Sequence, residues 1–187
     1  MAIRLRQWLS QFCAWHDQYR EGELPADLLV PYTEARSDLC ATLVVAQRLD
    51  LRAGGGRQAL RVERALPVCF EVGAAKISAI TQDISTSGLS ALVGRAPPVG
   101  TSIAFQLKLG REVTPVVGRC RVVAAIPMEG SVRMAVTFEE MGNEDRAHVE
   151  DVVLDAICAE IRTMLLLRNG KAIDASPSEA STREEVG

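Results

Sequence analysis

Apolar positions along this chain change their period twice. Leu5, Trp8, Leu9, Phe12, Cys13, Trp15 and Tyr19 follow helical spacing, with Arg4, Arg6, Gln11, Asp17 and Gln18 on the other faces. Glu21-Gly22 interrupts that stripe, and Pro25 and Pro31 bracket a short connector. Pro31 suits the first turn of a second helix, where a missing N–H leaves no bond unmade. Tyr32, Ala35, Leu39, Leu43, Ala46 and Leu49 carry that helix to about Asp50. The two helices are expected to form an antiparallel hairpin, ended by the flexible joint Ala53-Gly54-Gly55-Gly56.

From residue 66 to 140 the period shortens. Segments 66–72, 75–84, 89–93, 102–109, 113–126 and 132–138 are rich in Val, Ile, Thr and Phe. Gly73, Gly94, Pro97-Pro98, Gly110 and Gly130 separate them as turn residues. Six short strands with no helix between them predict an antiparallel barrel rather than alternating strands and helices. Alternation is clearest over 132–138, where Val132, Met134, Val136 and Phe138 are expected to face inward. Phe70, Phe105 and Phe138 all stand among apolar neighbours and are expected inside as well.

The helical period then returns. Asn143-Glu144-Asp145 reads as a start, with a side-chain cap and acids near the positive end of the helix dipole. Val149, Val152, Val153, Ala156, Ile157, Ile161, Met164 and Leu165 form one stripe, and Arg168-Asn169-Gly170 reads as the stop. At roughly 25 residues this helix exceeds the usual length, so part of its stripe is expected to reach the N-terminal helices. The expected organisation is a helical hairpin over 1–52, a barrel with its long C-terminal helix over 53–170, and a disordered tail over 171–187. The fold class is α+β.

Composition narrows the functional classes. The net charge is −3, which gives no electrostatic argument for nucleic acid polymers or an anionic membrane surface. Five scattered cysteines without a Cys-x-x-Cys pair read as reduced thiols in a cytoplasmic protein. Two histidines and no clustered cysteines leave a metal site too few ligands. Cys13 and His16 lie three apart on the first helix, and Cys158 and His148 ten apart on the last. The first pair reads as packing and the second is too far apart to touch, so no nucleophile–base pair emerges. Gly-x-Ser-x-Gly and phosphate-cradling Gly-x-x-x-x-Gly-Lys patterns are missing from the sequence. No enzymatic activity, cofactor or membrane insertion is expected.

Two short motifs carry the remaining chemistry. Arg57-Gln58-Ala59-Leu60-Arg61 sets two arginines four positions apart, just after the glycine run. Asp83-Ile84-Ser85-Thr86-Ser87-Gly88 places an acid, a hydroxyl and a glycine as Asp-x-Ser-x-x-Gly. An arginine fork can grip a phosphate or the O6/N7 edge of guanine, and its plane stacks on a purine. A carboxylate such as Asp83 accepts from guanine N1–H and N2–H₂. Ser85 can bond a base or fix the turn, and Gly88 permits close backbone approach or positive φ.

In this order, with one strand-like arm between them, the motifs resemble the two signatures of the PilZ domain family. The resemblance covers about residues 57–140 plus the following helix. It implies a six-stranded PilZ-like barrel and a receptor for the bacterial second messenger cyclic di-GMP. Arg57, Arg61, Asp83, Ser85 and Gly88 then match the ligand-binding positions. Many members carry another basic residue beside the first motif arginine, whereas Gly56 and Gln58 flank Arg57 here. Such a receptor relays ligand level to a protein partner in motility or exopolysaccharide control, and the long last helix and aromatic first helix are compatible with a homodimer. The alternative is a PilZ-like adaptor that binds no nucleotide and acts through protein contacts. Arg64 is expected to be solvated at a strand entry rather than a third ligand contact.

Overall fold

The computed structural model describes residues 2–50, 59–110 and 114–173. Three helices accompany a small barrel: α1 (Ala2–Glu21), α2 (Leu29–Asp50) and α3 (Asn143–Ile173). The strands are β1 (Val62–Glu63), β2 (Pro67–Val72), β3 (Ala75–Ser85), β4 (Gly88–Val93), β5 (Ser102–Leu107), β6 (Val116–Met128) and β7 (Ser131–Met141). Every pairing is antiparallel. The order β3-β2-β5-β6-β7-β4 closes on itself through β3–β4, giving a closed six-stranded barrel with β1 attached to the outer edge of β3. Closure leaves no long unpaired strand to invite aggregation.

Alternation fills the barrel. Phe70, Phe105, Leu107, Val116, Cys120, Val122, Met134 and Val136 are essentially fully buried. Phe105 and Phe138 stack inside at 5.1 Å between ring centroids. Of the four residues expected to face inward, Met134, Val136 and Phe138 are buried, while Val132 near the start of β7 is only partly buried.

The helices differ from expectation at their ends. Pro31 does fall in the first turn of α2, which begins two residues earlier at Leu29. Asn143 is the first helical residue of α3 rather than its cap, because the Gly142 carbonyl accepts the first helical bond from Arg146 N–H at 2.9 Å. Nor does α3 stop at Gly170; it continues to Ile173. A glycine inside a helix costs only about 1 kcal/mol relative to alanine, and here the helical run persists through it. Residues 171–173 of the expected tail are thus helical, and residues 174–187 lie outside the described residues.

Helices α1 and α2, joined by a 3₁₀ turn at Ala26–Leu28, pack on each other and α1 packs on α3. Phe12 is the hub, buried and stacked near Trp8, His16 and Tyr32 at 6.0, 6.3 and 5.9 Å. His16 is buried too. Its Nε2–H donates to Asp155 at 2.9 Å, and its Nδ1 lies 2.7 Å from the Tyr32 hydroxyl. Arg20 and Arg36 add ion pairs to Asp151, Asp155 and Glu150 of α3.

Burial pushes the Asp155 carboxyl up, but the His16 hydrogen bond and the Arg20 guanidinium outweigh it and hold the group below the usual carboxylate range. A carboxyl depressed in the folded state adds stability above its unfolded value, and that stability is lost as pH falls through the folded one. The α1–α3 contact is therefore expected to loosen below about pH 4, followed by Trp8 and Trp15 fluorescence. Asp155→Asn should flatten this acid limb, and an unaltered limb in that variant would remove Asp155 from the account.

Candidate ligand-binding site

The second motif straddles the β3–β4 hairpin. Ser85 pairs with Gly88 across the turn. Ser85 is fully buried, and its hydroxyl donates to the Gly88 carbonyl at 3.0 Å while accepting from Ser87 N–H at 3.3 Å. Of the two roles open to Ser85, the hydroxyl here fixes the turn. Gly88 does not adopt positive φ. A side-chain carbon there would stand 2.1 Å from the Val136 carbonyl oxygen, so close approach of β7 is what requires glycine.

Asp83 is presented outward by an irregularity in β3. Ile80 pairs with Leu92 and Thr81 with Ala91, but Asp83, not Gln82, pairs with Ser90. Gln82 is an extra, unpaired residue, a bulge of the kind that bends a strand and re-aims its neighbours. Strict alternation from Ile77 would carry Asp83 inward. With the bulge, buried Ile84 and Leu89 face each other in the core and Asp83 shares the outer face with Ser90. The same bulge marks where β3 exchanges partners, from β2 at Ile80 to β1 at Asp83.

Arg61 comes to Asp83 from the strap that precedes β1. Its Nη1 donates to Asp83 Oδ1 at 3.0 Å. The strap is anchored on both sides: Leu60 is buried between α2 and α3, and Val62 and Glu63 pair with Ile84 and Asp83. Helix α2 adds a carboxamide clamp on the backbone. Gln47 Nε2–H donates to the Arg61 carbonyl at 2.7 Å, and Gln47 Oε1 accepts from Arg61 N–H at 3.1 Å.

The second oxygen of Asp83 is held by residues that neither motif contains. Arg133 Nη2 donates to Oδ2 at 2.7 Å and the Ser90 hydroxyl donates to it at 2.6 Å. The carboxylate thus lies between two guanidinium groups, and charge-assisted bonds of this kind are the strong ones. Beside it runs an open groove of about 610 Å³, lined by Glu63, Arg64, Thr81, Gln82, Asp83 and Arg133. Arg64 is exposed on its rim, as expected. The structure brings Arg61, Asp83, Ser85 and Gly88 to one end of the β3–β4 hairpin. Arg57, with the glycine joint at 54–56, lies outside the described residues. Groups of acidic, histidine and cysteine side chains that could hold a metal do not occur among the described residues. No described helix is long and apolar enough to cross a membrane.

The family model described as PilZ domain matches residues 56–155, more than half of the 187-residue chain. This chain belongs to the PilZ domain family. The PilZ match begins after α2, so both N-terminal helices lie outside it, and it ends at Asp155 within α3. No curated protein matches this PilZ chain in sequence.

Solved structures similar to it include the Bacillus subtilis inhibitor of motility MotI/DgrA, at 19% identity and TM-score 0.48 over 53% of this chain and 50% of that one. The chain thus spans half the length of that protein. The PilZ domain of YcgR from Escherichia coli, solved with c-di-GMP (cyclic di-GMP), is similar at 12% identity and TM-score 0.48, over 59% and 98% of the two chains. The K. pneumonia MrkH–c-di-GMP complex is similar at 15% identity and TM-score 0.49, over 59% and 57%.

Arg133, Ser90 and Gln47 had no sequence signal. Outward alternation marks Arg133 as a surface residue of its strand, yet nothing in the sequence says that β7 pairs with β4.

Proposed function

We propose that this PilZ protein is a receptor for cyclic di-GMP that relays the level of the messenger to a protein partner. The observation that carries the reading is the Arg61–Asp83 pair, which unites the two motifs beside an open groove. Asp83 reads guanine N1–H and N2–H₂, Arg61 and Arg57 take phosphate and the O6/N7 edge, and Ser85 and Gly88 hold the turn that presents Asp83. The ligand's two phosphodiesters are anionic, and the flanking guanidinium groups outnumber the carboxylate between them.

Residues 1–52 are the output module in this reading. The Gln47 clamp ties the motif strand directly to α2, so a ligand that repositions Arg61 acts on the helices. Small-angle scattering with and without ligand tests the relay; identical profiles at saturation would count against it.

Titration calorimetry with cyclic di-GMP tests the receptor. Saturating ligand should also raise the melting temperature, because binding to the native state alone stabilises it by about 2.7 kcal/mol at a hundred times Kd. Absence of both heat and thermal shift would leave the barrel as an adaptor scaffold. Asp83→Ala is expected to weaken binding by roughly 1.5–3 kcal/mol and to reduce the preference over cyclic di-AMP. A variant with the parental preference would remove Asp83 from base recognition.

A further inference from the structure

We propose that Arg133 is a third arginine of the binding site and takes a phosphodiester oxygen of the ligand; this rests on the receptor reading above. Arg61 and Arg133 approach Asp83 from opposite sides, one on each carboxylate oxygen. Arg133 and Asp83 both stand on the wall of the open groove, which Arg61 does not line. A ligand entering along the groove meets Arg133 as it reaches Asp83.

Arg133 has donors to spare. A guanidinium carries five N–H groups, and in Arg133 only Nη2 is engaged among the described residues, with Asp83 and more distantly Ser90 at 3.4 Å. Nη1 and Nε meet no acceptor there. The group is about half exposed, with its side chain at 43%, so it reaches solvent without being released from Asp83. Arg64 and Arg133 line the groove with Glu63 and Asp83, so two guanidinium groups face it beside two carboxylates. With Nη1 and Nε of Arg133 unengaged among the described residues, its planar fork matches the paired oxygens of an anionic phosphodiester. The sequence departs from the family pattern by having no basic neighbour beside Arg57. Arg133 supplies a guanidinium from the opposite side, on β7.

Titration calorimetry of the full chain with cyclic di-GMP, at two ionic strengths, tests this in Arg133→Ala, Arg133→Gln and Arg61→Ala. Both Arg133 variants are expected to bind at least about tenfold more weakly. Their binding should also depend less on salt than the parent's, because a screened charge pair has been removed. Unliganded melting curves report folding, and the glutamine variant keeps a hydrogen-bonding side chain at the site should alanine disturb it. Parental affinity in both Arg133 variants, with binding lost in Arg61→Ala, overturns the inference and leaves the receptor intact. Weaker binding with the parental salt dependence overturns it too, since Arg133 then only props Asp83. A parent that binds nothing overturns the receptor reading and this inference with it. An Arg61→Ala variant that binds like the parent places the ligand site elsewhere and overturns this inference.

Discussion

Replacing Arg61 with alanine is expected to weaken cyclic di-GMP binding by about 30- to 150-fold, the equivalent of roughly 2–3 kcal/mol for a lost charge-assisted contact. The barrel should stay folded. In the unliganded protein the Arg61 side chain is about a quarter exposed and bonded to Asp83, whose other oxygen keeps Arg133 and Ser90. Partly exposed ion pairs contribute little, about 1 kcal/mol or less, so the melting temperature should move by only a few degrees. Calorimetric titration and circular dichroism melting on one preparation check both halves. Parental affinity in the variant would place the ligand site elsewhere.

Gly88→Ala should do the reverse, damaging the fold first. The added carbon would stand 2.1 Å from the Val136 carbonyl oxygen and 3.1 Å from Thr137 Cα. Both atoms belong to backbone, which cannot swing aside as a flexible side chain does. Gly88 pairs with Thr137 at the seam where β4 meets β7. Forcing that seam apart is expected to cost about 3 kcal/mol, a drop of roughly 6–12 °C in melting temperature for a chain of this size. Gly94→Ala is the matched control, because a carbon added there meets nothing within 4 Å. Equal melting of the two variants would mean that close approach does not explain the glycine.

Together these outcomes divide the motif Asp-x-Ser-x-x-Gly into a part that meets ligand and a part that builds its support. The sequence pattern contains both without distinguishing them. Periodicity located the helices and the six barrel strands, because each strand buries one face and each helix one stripe. Strand ends moved by a few residues; segment 102–109 became Ser102–Leu107 and segment 113–126 became Val116–Met128. Two-residue β1 escaped notice, since its pairing depends on β3 rather than on any pattern of its own.

The site was half legible. Arg61 and Asp83 were visible as motif members, but their bond forms because β1 lies along β3. Asp83 faces outward only through the Gln82 bulge, which alternation does not predict. Arg133 stands 50 residues from Asp83 in sequence and reaches it through barrel closure, a property of strand order. Gln47 lies beyond the stretch the family model matches, so no family pattern points to it.

The Gln47 clamp grips Arg61 by its main chain, leaving the guanidinium free for Asp83. One position therefore divides its labour between two kinds of atom. If the receptor reading holds, the side chain at 61 sets sensitivity to the messenger while the peptide units on either side keep hold of α2. Substitutions at 61 would then silence the receptor without unhitching the N-terminal helices from the barrel.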